Sequence, residues 1–175
     1  MEEKNTDEPE KVLQRNTGNG VNALVKTAIC DDDKEAVKSH GEIVKNCLRS
    51  CGIGYEITTY TQSSNLLFDI TDDHFFYDLI LLDIEMPGMT GMELAEKIKP
   101  YLPNVKIIFI TSHIEYAIDA FELSIFRYVP KSDLTNRLAS AVTDAAKLIE
   151  LEAGREYLIQ AAGRMEKIPY KDIFY

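Results

Sequence analysis

Four apolar runs in this chain end in side chains suited to holding a phosphate or a metal ion. Asp31, Asp32 and Asp33 follow the first run, and Asp83 closes Leu79-Ile80-Leu81-Leu82. Thr111 and Ser112 close the next, and Lys131 follows Tyr128-Val129-Pro130. Carboxylates gathered within a few ångströms repel, and they either raise one another's pKa or share a cation. Hard oxygens with room for water suit Mg²⁺, which takes one or two protein carboxylates and keeps several waters. Beside such an ion a strand-end aspartate can attack phosphorus as a nucleophile. A hydroxyl such as Thr111 and a cation such as Lys131 can each take an oxygen of the acyl phosphate formed.

Each residue alone has an ordinary explanation. Aspartates before a helix are usually N-caps favoured by the helix dipole, and Asp33 fits that role best. Thr111 alone is a strand-end threonine, and Lys131 alone a solvated lysine. Asp83 is harder to explain away, because an acid closing an apolar run is costly without a partner. The joint placement of these groups at the ends of successive runs points to one site.

The elements that must position them alternate along the chain. Leu24–Cys30 reads as a strand, and residues 34–51 as a helix with a stripe of Val37, His40, Val44, Cys47 and Cys51. The break at Gly52 and Gly54 ends it. Tyr55, Ile57 and Thr59 alternate with polar neighbours, as in a half-exposed edge strand. Residues 62–72 form a weaker helix, 79–82 a buried strand, 92–99 a helix stopped by Pro100, and 105–110 a strand. Residues 114–121 read as a short helix and 125–129 as a fifth strand. Ser132 or Asp133 can cap a last helix with a stripe through Leu134, Leu138, Ala145 and Leu148. Five strands alternating with five helices predict a doubly wound α/β fold, with a parallel sheet covered by helices on both faces. In such a sheet, sites form beyond the carboxyl ends of the strands where strand order reverses.

Composition excludes several classes. With 175 residues and 45% hydrophobic content, the chain can bury one domain's core. A net charge of −10 argues against this stretch contacting nucleic acid, which needs a basic face. Three cysteines, none paired at a two-residue gap, read as small buried hydrophobes in a reducing compartment. No apolar run approaches 18 residues, so no membrane partner and a cytoplasmic location are expected. Residues 1–22 are polar and read as a flexible leader.

The segment YDLILLDIEMPGMTG (residues 77–91) closely resembles the phosphoacceptor loop of bacterial two-component response regulators. AICDDD (28–33), IFITS (108–112) and FRYVPK (126–131) resemble that family's other signature segments, in order and spacing. The resemblance implies a flavodoxin-like five-stranded sheet of order 2-1-3-4-5 in a receiver domain spanning residues 23–152. It implies that Asp83 is phosphorylated, that Asp31 and Asp32 hold Mg²⁺ with Asp83, and that the backbone carbonyl of Glu85 is a further ligand. Thr111 resembles the switch hydroxyl, Tyr128 the switch aromatic, and Lys131 the phosphate-pairing lysine. A sensor histidine kinase is the implied partner. The implied output is homodimerisation on phosphorylation, through a surface including Tyr116, Ala117, Ala120 and Phe121. The family usually has proline after the lysine; here it is Ser132, and Pro130 precedes the lysine. A non-proline cis bond costs about 3 kcal/mol, which favours a trans Lys131–Ser132 bond.

YLIQAAGRMEKIPYKDIFY (157–175) resembles the opening strands of a LytTR-type DNA-binding domain. Residues 153–175 are therefore expected to be a linker and the truncated start of such a domain, with DNA as the eventual partner of its missing part. Two rivals remain: a receiver-like protein-binding module without transcriptional output, and an Mg²⁺-dependent phosphatase with an aspartyl nucleophile. Haloacid-dehalogenase-type phosphatases need a second aspartate two residues after the nucleophile, where this chain has Glu85. The expected role is a phosphoacceptor switch and not a turnover enzyme.

Overall fold

The computed structural model describes residues 10–12, 24–112, 116, 123–153, 156–161 and 164–169. Its strands are β1 (Glu10–Val12), β2 (Leu24–Cys30), β3 (Gly54–Tyr60), β4 (Leu79–Asp83), β5 (Lys106–Thr111) and β6 (Arg127–Pro130). The helices are α1 (Lys34–Ser50), α2 (Ser63–Thr71), α3 (Gly91–Ile98) and α4 (Leu134–Ala153), the last entered through a 3₁₀ turn at Lys131–Asp133. β7 (Glu156–Ala161) and β8 (Arg164–Pro169) form a separate antiparallel pair. The helix read at residues 114–121 lies outside the described residues except for Tyr116, and with it Ala117, Ala120 and Phe121.

β3, β2, β4, β5 and β6 are all parallel and lie side by side in that order. Counted along the chain this is 2-1-3-4-5, the doubly wound order. Period-two alternation splits the strand residues between two helical layers. Val25, Ile29, Leu81 and Ile110 meet Val44 and Leu48 of α1 and Leu138, Val142 and Ala145 of α4. Ala28, Ile80, Leu82 and Phe109 meet Leu66 and Ile70 of α2 and Leu94 and Ile98 of α3. β4 is buried at every position, which explains its uninterrupted apolar sequence. Each fully buried Leu or Ile contributes about 1.5–3 kcal/mol by area, so the central strands hold the site rigidly.

Helix starts follow the expected chemistry. Asp33 is the N-cap of α1, its carboxylate accepting from the Glu35 N–H at 2.9 Å. Thr90 and Glu93 form a reciprocal capping box at α3. Among the described residues no helix is long and apolar enough to cross a membrane.

Three expectations are corrected. Glu10–Val12, within the stretch read as a flexible leader, pairs antiparallel with β3. An open strand edge offers unpaired N–H and C=O groups, and even a polar extended segment can satisfy them. β3 is consequently not the outermost strand, although its alternation is as read: Tyr55 and Ile57 are buried while Glu56 and Thr58 between and beside them are partly exposed. The cap expected at Ser132 or Asp133 does not form. Both residues lie inside the 3₁₀ turn, whose own N-cap position is Pro130 and has no side-chain cap bond. Asp133 Oδ2 instead accepts from Arg137 Nε at 2.8 Å, one turn further on. The Lys131–Ser132 bond is trans, as its sequence favours.

Candidate functional site

Register assembles the site. β2 and β4 run side by side with Cys30 opposite Leu82, so Asp31 and Asp83 emerge together at the carboxyl ends of the two central strands. Asp31, Asp32 and Asp83 each place a carboxylate oxygen within 4.8 Å of the others. Asp31 and Asp83 are buried, at 1% and 6% exposure, whereas Asp32 is exposed at the rim. Asp31 Oδ1 accepts from the Asp33 N–H at 2.9 Å, which fixes that carboxylate while Asp33 turns away to cap α1.

Lys131 supplies the countercharge from β6's far end. Its Nζ donates to Asp83 Oδ2 at 2.8 Å and lies 3.4 Å from Asp31 Oδ2. Partial burial pulls the ammonium's pKa down. The hydrogen bond to Asp83 and the charges of Asp31 and Asp83 outweigh that and hold it above the usual lysine range. Three carboxylates therefore face one ammonium. The donor set fits a hard divalent cation: two oriented, buried acids and an exposed third with room for water. Asp31, Asp32 and Asp83 would hold Mg²⁺ here.

The remaining expected residues lie on neighbouring strands. Thr111 is buried at the end of β5, the strand hydrogen-bonded to β4. Tyr128, one strand further, is half-buried against the α2–α3 layer. Glu85 is exposed and lines a cleft of about 540 Å³ beside the acids, with Asp32, Met86, Pro87, Met92 and Tyr116.

Two residues carry weight that the sequence did not flag. A Cβ on Gly91 would lie 2.1 Å from the Asp83 carbonyl oxygen, so only glycine lets α3 start against the site strand. Its N–H also donates to Ile84 O at 2.9 Å. The signal was a glycine opening a helix, where capping chemistry does not require one. His40 is buried at 2% exposure on α1. Burial lowers its pKa, with Asp31 and Asp83 pulling the other way and Lys131 adding to the lowering. Its place in an apolar stripe concealed it. Cys30 sits beneath the acids, its thiol 3.5 Å from Met86 Sδ. Burial, then the neighbouring carboxylates, push that thiol up to about 12, so it is inert.

The family model described as the response regulator receiver domain matches residues 27–143. The transcriptional regulatory protein NatR of Bacillus subtilis is 38% identical over 99 residues, covering 56% of this chain and 42% of its own length. The sensory transduction protein LytR of Staphylococcus haemolyticus is 41% identical over 66 residues, 38% of this chain and 26% of its own. The chain thus spans less than half of these relatives. A CheY-like receiver domain structure from Methanospirillum hungatei superposes with TM-score 0.63 at 26% identity, over 74% of this chain and 99% of that one.

Proposed function

Because the chain belongs to the response regulator receiver domain family, we propose that it is a switch of a two-component system in which Asp83 accepts a phosphoryl group from a sensor histidine kinase. The observation that carries this is the bridge of Lys131 between buried Asp83 and buried Asp31, with Asp32 at the rim. An Asp83 carboxylate oxygen attacks phosphorus, the P–N bond to the donor imidazole breaks, and that nitrogen takes up a proton. Mg²⁺, held by Asp31, Asp32, Asp83 and the Glu85 carbonyl, would neutralise charge on the transferring group. Lys131 is already aimed at Asp83 and pairs with an oxygen of the new phosphate.

The added charge biases a bistable element. Thr111 moves toward the phosphate, Tyr128 follows, and the face beyond β6 rearranges to favour a homodimer. We assign the output to transcription. The names of NatR and LytR support this reading, as does the β7–β8 hairpin where the LytTR-type resemblance begins. In this scheme residues 23–152 are the cytoplasmic receiver, and DNA is contacted by a domain that follows it.

Labelling with radioactive acetyl phosphate tests the reading. Wild type should incorporate about one phosphoryl group per chain, EDTA should prevent it, and Asp83→Asn should abolish it. Labelling that survives Asp83→Asn would overturn the assignment. An unlabelled wild type that also fails to bind beryllium trifluoride would favour the protein-binding module.

A further inference from the structure

Among the described residues, the outer edge of β3 is met by one further strand, the chain's own Glu10–Val12. Strand geometry identifies the groups involved. Tyr60 O accepts from the Asp31 N–H at 3.2 Å, so Tyr60 turns its backbone polar groups toward β2. Successive residues alternate direction, so Thr58 and Glu56 also face β2, while Tyr55, Ile57 and Thr59 face the edge. The β1 register sets Glu10 opposite Ile57 and Val12 opposite Tyr55, the pairs that exchange hydrogen bonds. Thr59 lies outside that pairing.

β3 has few other protections. Its sequence, GYEITTY, contains no proline and no lysine, and Glu56 is its only charge. Strands of this kind pair edge to edge unless something covers them. Two copies meeting antiparallel about Thr58 would put Ile57 of each opposite Thr59 of the other. Thr58 would then oppose Thr58, a favourable cross-strand pair. Glu56 would oppose Tyr60, with no like charges in register. That pairing needs the Ile57 edge groups, which β1 occupies.

We infer that Glu10–Val12 is a covering strand, and that the edge beneath it is a self-association surface for a second copy of this chain. The cover is short, so it can lift without disturbing the parallel sheet, and it stays near because residues 13–23 tether it to β2. This surface needs neither Asp83 nor a phosphoryl group.

The test uses the full chain carrying Val12→Pro, which removes the N–H that pairs with Tyr55. At low concentration, hydrogen exchange at the Tyr55 and Ile57 amides should quicken by about tenfold or more as the cover opens locally. At high concentration the variant should sediment as a dimer and the Ile57 amide should regain protection, while wild type stays monomeric. Adding Thr59→Pro, which takes a donor from the open edge, should return the variant to monomer. Unchanged exchange in Val12→Pro would overturn the cover. A variant that stays monomeric, or a dimer that survives Thr59→Pro, would overturn the surface.

Discussion

Lys131 Nζ lies 2.8 Å from Asp83 Oδ2, so the ammonium holds the proposed acceptor before any phosphoryl group arrives. The same nitrogen reaches Asp31, tying the end of β6 to β4 and β2. A cation seated there repels a divalent ion entering the same carboxylates. Lys131→Met should therefore tighten Mg²⁺ binding about threefold to tenfold, or about 1 kcal/mol, measured by titration calorimetry. In EDTA the same variant should lose on the order of 2 kcal/mol of stability, because two buried acids are left without their countercharge. A weaker Mg²⁺ affinity would mean that Lys131 does not compete for the site.

Asp32 separates metal binding from folding. It is exposed and adds a third like charge to the cluster, so Asp32→Asn should change Mg²⁺-free stability by less than about 0.5 kcal/mol. For wild type, saturating Mg²⁺ at about a hundred times Kd should add about 2.7 kcal/mol. The variant should lose most of that gain, seen as a missing rise in melting temperature. An intact rise would place the cation elsewhere.

How far this was legible in the sequence differs between the sheet and its margins. The acids were readable because a carboxylate at the end of a buried run needs a partner, and successive strand ends converge in a doubly wound sheet. The parallel sheet followed from the alternation of strands and helices, but strand order came with the family resemblance, since period-two patterns say which face is buried but not which strand is next. β1 was missed because its pairing is made by backbone atoms, and Glu-Lys-Val has no strand periodicity of its own. Ser132 and Asp133 are good capping types, but the turn out of β6 draws both into its first helical turn. His40 and Gly91 matter through what packs against them, which spacing along one chain cannot reveal.

His40 gives stability a pH dependence of known sign. Burial holds its folded pKa below the ordinary value of about 6.5. Below that pH the unfolded chain takes a proton that the folded imidazole refuses. Stability should thus fall as pH drops from about 6.5 toward the folded pKa, and be unaffected by this group above 7. Urea unfolding in EDTA at pH 7.5 and pH 5.5 measures the loss. His40→Leu, packed beside Val37 and Val44, should flatten the slope over that window. An equal slope in the variant would assign the dependence to other groups.

Gly91 links the fold to the chemistry through a single missing atom. The Cβ of an alanine would stand 2.1 Å from Asp83 O, 3.0 Å from its carbonyl carbon and 3.1 Å from Ile84 Cα. These are backbone atoms of the central strand and its exit, so they cannot rotate away as a side chain would. Either α3 must back off, opening the Leu94 and Ala95 contacts, or the strand must bend and carry the Asp83 carboxylate with it. Gly91→Ala should cost about 2–3 kcal/mol, read from urea unfolding. Folded variant, isolated at low temperature, should label from acetyl phosphate about tenfold more slowly, as misplacing a reacting group by a fraction of an ångström to one ångström costs that much or more. Gly91→Ser should behave like alanine, because the conflict begins at Cβ. Wild-type stability in either variant would show that the helix start yields without strain, and the close approach to Asp83 would then lose its significance.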